Sequence, residues 1–348
     1  MFTDADYPVL PYPGARPPFS FVHEDGGGLP VTPDRAALSG WRVGSIDLDV
    51  WLADRGAEPM AHRVPLFSYG SNACPGKLTW LRATSGLSGP VVVLRAVSTG
   101  VAAVWAAGLR VVDGQRPAVL AASPGTVEEH AVLMVTPKQV QAFDSCEARG
   151  DRHHLARVLT GQVVVDGGTV LEDVPAYVGR TDIRRPLLVN DAPVRCADVR
   201  QVDTTGLSGA LAASDGLRTH VLTGPPDPDD FPGLLFVYGT LQPGARAWHL
   251  LAPLSAGAPV PARLPGELFD TGQGYPALRL GGDAEVSGWL VRFTAGALTT
   301  VDEYEGDEYT RVRVTMADGT QCWTYVWTGP TENLTVLRDP WPSSAPMG

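Results

Sequence analysis

The stretch Leu235-Phe236-Val237-Tyr238-Gly239-Thr240-Leu241-Gln242-Pro243-Gly244 decides how the rest of the chain is read. Its apolar run from Leu234 to Val237 has the length and composition of a buried strand. The run breaks at Gly239, and Pro243-Gly244 opens a turn ahead of an expected helix over Ala245 to Leu251. A strand that runs into a glycine-containing turn leaves backbone N–H groups unpaired, and such a cluster can receive a carboxylate or a developing oxyanion. One such turn is a weak signal, because many strand–helix connections share it. The chain contains the turn twice: Leu66-Phe67-Ser68-Tyr69-Gly70-Ser71-Asn72 repeats the apolar, Tyr-Gly, hydroxyl order.

A second pair of segments repeats as well. Thr136 to Glu147 and Thr294 to Glu305 align without a gap, so that Val140 meets Leu298, Phe143 meets Val301, Asp144 meets Asp302 and Glu147 meets Glu305. Both read as helices; in the first, Thr136 suits an N-cap and Pro137 the first helical position. The first copy carries eleven more residues between Tyr69 and Glu147 than the second carries between Tyr238 and Glu305. Two copies of one domain account for this pattern.

Length and composition set the frame. At 348 residues two domains of ordinary size are expected. A hydrophobic content of 44% and a charged content of 19% are those of a soluble globular chain. The net charge of -11, with no Lys/Arg cluster, argues against a nucleic-acid surface. The acidic N-terminus Met-Phe-Thr-Asp-Ala-Asp has no apolar core behind it and does not read as a secretory signal. Residues 91 to 109 are apolar, but Arg95 and Gly100 interrupt them, and two adjacent strands are expected rather than a membrane span. Four dispersed cysteines (Cys74, Cys146, Cys196, Cys322) suit free thiols in a reducing cytoplasm.

Along the chain, residues 1–60 form a Pro/Gly-rich extension with enough apolar residues (Trp41, Leu48, Trp51, Leu52) to be ordered, and with no evident chemistry. Residues 61–222 read as a first domain, with strands at Val91–Leu94, Val101–Trp105, Ala118–Ala121, Ala131–Val135, Gln162–Val165 and Ala176–Val178. Residues 223–230, Thr-Gly-Pro-Pro-Asp-Pro-Asp-Asp, read as a linker. Residues 231–330 read as the second domain, with strands at Val286–Phe293, Tyr309–Thr315 and Cys322–Thr328. Residues 331–348 are a loose tail.

Glu305 ends its helix beside Gly306, a helix stop, at the negative end of the helix dipole. Partial burial there raises a carboxyl pKa toward the range useful for proton transfer. A Glu base facing a nest of N–H donors suits acyl transfer. The run Phe236-Val237-Tyr238-Gly239-Thr240-Leu241, then Gly274-Tyr275-Pro276-Ala277, then Val301-Asp302-Glu303-Tyr304-Glu305-Gly306-Asp307-Glu308-Tyr309-Thr310-Arg311, resembles the gamma-glutamylcyclotransferase-like family. With Thr324-Tyr325-Val326 it looks like the gamma-glutamylamine cyclotransferase branch. The first copy resembles the family through Tyr69-Gly70-Ser71-Asn72, Asp144-Ser145-Cys146-Glu147 and Ala176-Tyr177-Val178, with Arg116-Pro117-Ala118 in place of the Gly-Tyr-Pro-Ala step.

The resemblance implies a mixed α/β (α+β) fold: two tandem domains, each a small barrel-like sheet with short flanking helices. It implies a cytoplasmic enzyme that needs neither a metal nor an organic cofactor and acts on a small-molecule γ-glutamyl substrate. The substrate's α-amine attacks its own γ-carbonyl, closing 5-oxoproline and releasing the γ-linked amine, so the protein need not supply a nucleophile. Glu305 and Glu147 would move the protons. The turns Tyr238, Gly239, Thr240, Leu241 and Tyr69, Gly70, Ser71, Asn72 would bind the substrate through backbone N–H groups. Tyr325 and Tyr177 serve either as polar contacts to the γ-glutamyl unit or as core residues. Neither nucleic acid nor membrane is expected as a partner, and the oligomeric state and the leaving amine stay open.

Other readings carry less. Cys74 or Cys146 could act as a thiol nucleophile with His153 or His154 as base, but the second copy has no matching cysteine. Adjacent His153 and His154 rarely share one metal ion. Asp302 and Glu305, three apart on one helix face, stand too close for glycoside chemistry. The serious rival is a non-catalytic binding or scaffold protein built from degenerate domains of this shape.

Overall fold

The computed structural model describes residues 1–348 except 112, 295, 339, 340 and 342–348. Contacts divide the chain into two units. Unit 1 comprises residues 1–32, 55–57 and 63–226; unit 2 comprises 33–54, 58–62 and 227–348. The Pro/Gly-rich first sixty residues are thus shared between the units, with short strands, turns and a helix at Leu48–Ala53. The chain is mixed α/β, rich in strands and poor in helices. Among the described residues no helix is long and apolar enough to cross a membrane.

Unit 1 is built on β1 (Val64–Ser68), β2 (Val91–Trp105), β3 (Ala118–Val135), β4 (His153–Val158) and β5 (Pro175–Gly179), with helices α1 (Pro75–Ser85) and α2 (Pro137–Glu147). In space the strands run β2-β3-β1-β5-β4. Unit 2 is built on β6 (Leu234–Val237), β7 (Val260–Asp270), β8 (Pro276–Arg292), β9 (Tyr309–Thr315) and β10 (Gln321–Trp327), with helix α3 (Ala297–Glu305). Its strands run β7-β8-β6-β10-β9. Orientation follows the same scheme. β1 is antiparallel to β3 and parallel to β5; β6 is antiparallel to β8 and parallel to β10. In unit 1 the strands Phe21–Glu24, Gly27–Pro30 and Phe2–Thr3 continue the sheet beyond β2.

The central strand of each unit ends in the Tyr-Gly turn. In unit 2, alternation along β6 sends Leu234 and Phe236 into one apolar cluster and Leu235 and Val237 into another. A strand buried on both faces needs an unbroken apolar run, which is why this stretch shows no polar alternation.

Where sequence and structure differ, the causes are local. The two strands expected on either side of Gly100 are one strand, β2, whose register shifts between Thr99 and Val101. Gly100 has φ +82° there, a left-handed conformation that suits glycine at an irregularity. Ala118–Ala121 and Ala131–Val135 likewise belong to one strand, β3. The N-terminus of α2 forms as expected: the Thr136 hydroxyl accepts from Gln139 N–H (3.2 Å) and the Gln139 side chain accepts from Thr136 N–H (3.0 Å). α3 begins at Ala297 rather than Thr294, because Gly296 before it is left-handed (φ +79°). The helix expected over 245–251 is a four-residue turn of helix, Trp248–Leu251. Part of the tail forms a short strand, Thr335–Leu337, paired with β7; the rest of the tail from 339, save Trp341, lies outside the described residues.

Candidate active site

In α3, Leu298, Val301 and Glu305 share one helix face, and the first two are fully buried. The carboxylate therefore follows the apolar stripe toward the protein instead of turning to solvent. It lines a cavity of about 220 Å³ together with Tyr238, Gly239, Thr240, Leu241 and Tyr325. Burial first, and the neighbouring Asp302 carboxylate second, push the Glu305 carboxyl up to about 7. Among the described residues no side-chain hydrogen bond or ion pair reaches it.

The turn opposite supplies donors. Its carbonyls are used inward: Gln242 N–H donates to Gly239 O (3.2 Å) and Ala247 N–H to Thr240 O (3.0 Å). No acceptor for the N–H groups of Gly239, Thr240 and Leu241 is found among the described residues. A Cβ on Gly239 would lie 3.1 Å from the Pro276 ring, so glycine lets the turn press against that wall. The Tyr238 hydroxyl donates to Tyr325 O (2.8 Å), tying the turn to β10. The Tyr325 hydroxyl donates to Asp302 Oδ1 (2.7 Å), and Arg311 Nε donates to the same oxygen (2.9 Å). Tyr325 thus lines the cavity with its hydroxyl already engaged.

Several lining residues escaped the sequence reading of the site. The Tyr304 and Thr240 hydroxyls share a hydrogen bond (2.9 Å). Tyr275 OH donates to Glu308 Oε2 (2.7 Å), and Tyr309 OH donates to Pro276 O (2.8 Å). Arg246 completes the wall. The signal for Tyr304 and Tyr309 was the tyrosine-rich run around Glu305; Tyr275 and Arg246 lie outside that run.

Unit 1 brings Tyr69, Gly70, Ser71, Asn72, Glu147 and Tyr177 to a larger cavity of about 840 Å³. The scaffold bonds match: Tyr69 OH donates to Tyr177 O (2.5 Å) and Tyr177 OH to Asp144 Oδ1 (2.7 Å). The carboxylate does not match. Asn72 Nδ2 donates to Glu147 Oε1 (2.9 Å), while His153 Nδ1 lies 2.8 Å from Glu147 O and 3.4 Å from Oε2. Burial holds the His153 imidazole below its ordinary value. The extension, read as chemically silent, supplies Val9, Leu10 and Tyr12 to this cavity. Tyr12 OH accepts from Ala118 N–H (3.1 Å), and a Cβ on Gly70 would meet that hydroxyl at 3.3 Å. Tyr12 thus closes on Gly70 as Pro276 closes on Gly239.

Cys74 is buried with its thiol toward Tyr7 O (3.5 Å), and burial pushes both its thiol and that of Cys146 up. Among the described residues no group of three or more His, Cys, Asp or Glu side chains is placed to hold a metal ion.

Comparison with known proteins bears on unit 2. A family model described as gamma-glutamyl cyclotransferase, AIG2-like matches residues 235–343. That is less than a third of the chain. A mouse AIG2-like protein is similar at 18% identity, covering 32% of this chain and 87% of that one, with a TM-score of 0.23. A structure named gamma-glutamyl cyclotransferase gives 23% identity, 30% and 68% coverage and a TM-score of 0.22. An uncharacterized protein from Pyrococcus horikoshii gives 18% identity, 28% and 79% coverage and a TM-score of 0.24. A search of the curated proteins returns no match.

Proposed function

We propose that unit 2 is a γ-glutamyl cyclotransferase with Glu305 as its acid–base residue. The observation that carries this reading is a partnerless carboxyl near pKa 7 sharing a small cavity with three unpaired backbone N–H groups. The family match over 235–343 supports it. The substrate's α-ammonium gives a proton to Glu305, and the freed amine attacks the γ-carbonyl. The new C–N bond closes the lactam as the bond to the leaving amine breaks; Glu305 returns the first proton to that amine, then takes the second proton that the ring nitrogen sheds and passes it on, so that the amine departs as its ammonium. The N–H groups of Gly239, Thr240 and Leu241 would hold the substrate carboxylate and the oxyanion as charge develops. Tyr325 would act as a wall of the γ-glutamyl subsite.

The two tandem copies, 61–222 and 231–330, are the natural reading of the shared strand order and the matched Tyr–Tyr–Asp bonds. For unit 1 the non-catalytic alternative has one observation in its favour, the hydrogen bond that ties Glu147 to Asn72. The test is a panel of γ-glutamyl amines and peptides incubated with the full chain, with 5-oxoproline measured by chromatography. Release from at least one compound is expected. No release from any member of a broad panel would sink the enzyme reading.

A further inference from the structure

The unit 1 cavity differs from its counterpart in charge as well as size. Lys77, Arg110, Arg152 and Arg184 line it against Asp113 and Glu147. Arg110 is neutralised locally by Asp113 (Nε to Oδ1, 3.0 Å). Three cations then face one carboxylate, in a chain whose net charge is -11. The unit 2 cavity has one cation, Arg246, against Glu305 and Glu308.

Arg184 is the decisive residue. It is 8% exposed, its Nε has no partner, and its guanidinium makes no hydrogen bond or ion pair among the described residues. A buried guanidinium without acceptors is costly unless something supplies them. The fold nevertheless fixes it in place. It ends a short turn, Asp182–Arg184, held on both sides. Gly108 N–H donates to Ile183 O (2.9 Å) and Ala107 N–H to Arg185 O (2.8 Å). On the other side a Cβ on Gly179 would fall 2.4 Å from Arg184 O, so only glycine there allows the approach. Arg152 is anchored through its Nη2 to Cys146 O (3.0 Å), next to Glu147. Burial and the Arg152 charge both press the Arg184 guanidinium toward losing its proton, a tension that an anion would relieve.

We propose that the unit 1 cavity binds a small dianionic molecule, with one anionic group lodged on Arg184 and Arg152. The site is independent of the chemistry assigned to unit 2. A zwitterionic γ-glutamyl head carries no net charge and leaves these cations unanswered, whereas a ligand with two anionic groups answers them.

Isothermal titration calorimetry on the full chain carrying Glu305→Gln tests this, because no turnover is then required. The probes are glutarate, its neutral analogue glutaramide, and inorganic phosphate. At least one anion should bind, and glutaramide should bind at least about 10-fold more weakly than the better anion. Arg184→Gln should weaken that anion by about 10- to 100-fold, the range for one charge-assisted hydrogen bond, with partial rescue by Arg184→Lys. Glutarate above phosphate identifies a dicarboxylate; the reverse identifies a phosphorylated ligand. Absence of anion binding, equal binding of glutaramide and glutarate with none of phosphate, or an unchanged Kd in folded Arg184→Gln overturns the proposal. If Arg184→Gln does not fold, Arg152→Gln decides by the same criterion. A failed titration leaves the 5-oxoproline assay of unit 2 untouched, and a failed assay leaves the titration untouched.

Discussion

Glu305 and Glu147 end matching helices, face matching turns and sit beside matching Tyr–Asp pairs, yet they live in different environments. Glu305 has a small cavity, no hydrogen-bond partner and a pKa lifted to about 7. Glu147 has a cavity nearly four times larger, an amide donating to it, and a histidine and two arginines close by. Among the described residues one carboxyl thus has no hydrogen-bond partner and the other accepts from an amide. The difference comes from residues outside the shared pattern: Asn72 in one turn where the other has Leu241, and His153 where the other has no histidine.

The largest effect that could break this comparison is on the rate. Glu305→Gln should lower kcat/KM for 5-oxoproline release by about 10²- to 10⁴-fold, the range for an acid–base residue, while Glu147→Gln should leave the same substrate nearly unaffected. The opposite outcome would move the chemistry to unit 1. The Gln variant also has a pH signature. The Glu305 carboxyl lies higher in the folded protein (about 7) than its ordinary 4.5, so its favourable contribution is present below pH 4.5 and fades as pH rises through 7. The stability of Glu305→Gln relative to the parent should therefore grow across that window in urea melts, and a flat difference would refute the shift.

Next in size is packing. Leu298→Ala, at a fully buried position of α3, should destabilise by about 2–5 kcal/mol in denaturant unfolding. Because α3 carries Glu305, activity should fall with it. Phe143→Ala, buried in α2, should destabilise by about 3–5 kcal/mol and leave the rate at low temperature unchanged. Equal loss of activity in both would show that the two sites do not work separately.

A smaller effect concerns Asp302. The acid limb of the kcat/KM profile should have its midpoint near pH 7, where Glu305 becomes a base. Asp302→Asn removes a negative charge that raises that value, so the limb should move to lower pH. A move to higher pH would mean that another group sets it. The smallest expected effect is none: exhaustive chelation should leave 5-oxoproline release unchanged, and loss restored by one metal would overturn the mechanism.

The central turn, the start of α2 and the end of α3 at Glu305 were legible from local patterns: an apolar run into Tyr-Gly, a capping Thr-Pro, a glycine stop at Gly306. The long strands were not. Arg95 looks like a break in a buried run, but it is answered by Asp166 (3.2 Å), far along the chain. Gly100 looks like a terminator, but it absorbs a register shift. Tyr12 and Arg184 were invisible for a related reason. Each enters the cavity from a segment with no periodicity, and each lies against a glycine that no local rule announces: the Tyr12 hydroxyl against Gly70 and the Arg184 carbonyl against Gly179.

The parallel pairing of the central strand has a kinetic consequence. The Tyr69 hydroxyl finds its acceptor 108 residues downstream, and the Tyr238 hydroxyl finds its own 87 residues downstream. Contacts of such long sequence separation form late, after local hairpins such as β7–β8 have closed. Each turn therefore stays unmoored on a growing chain until its last partner strand, β5 or β10, has been synthesised and docked. A chain that ends between residues 305 and 325 has its Glu305 but lacks the Tyr325 acceptor for the Tyr238 hydroxyl, so ligand affinity there would report completion of folding.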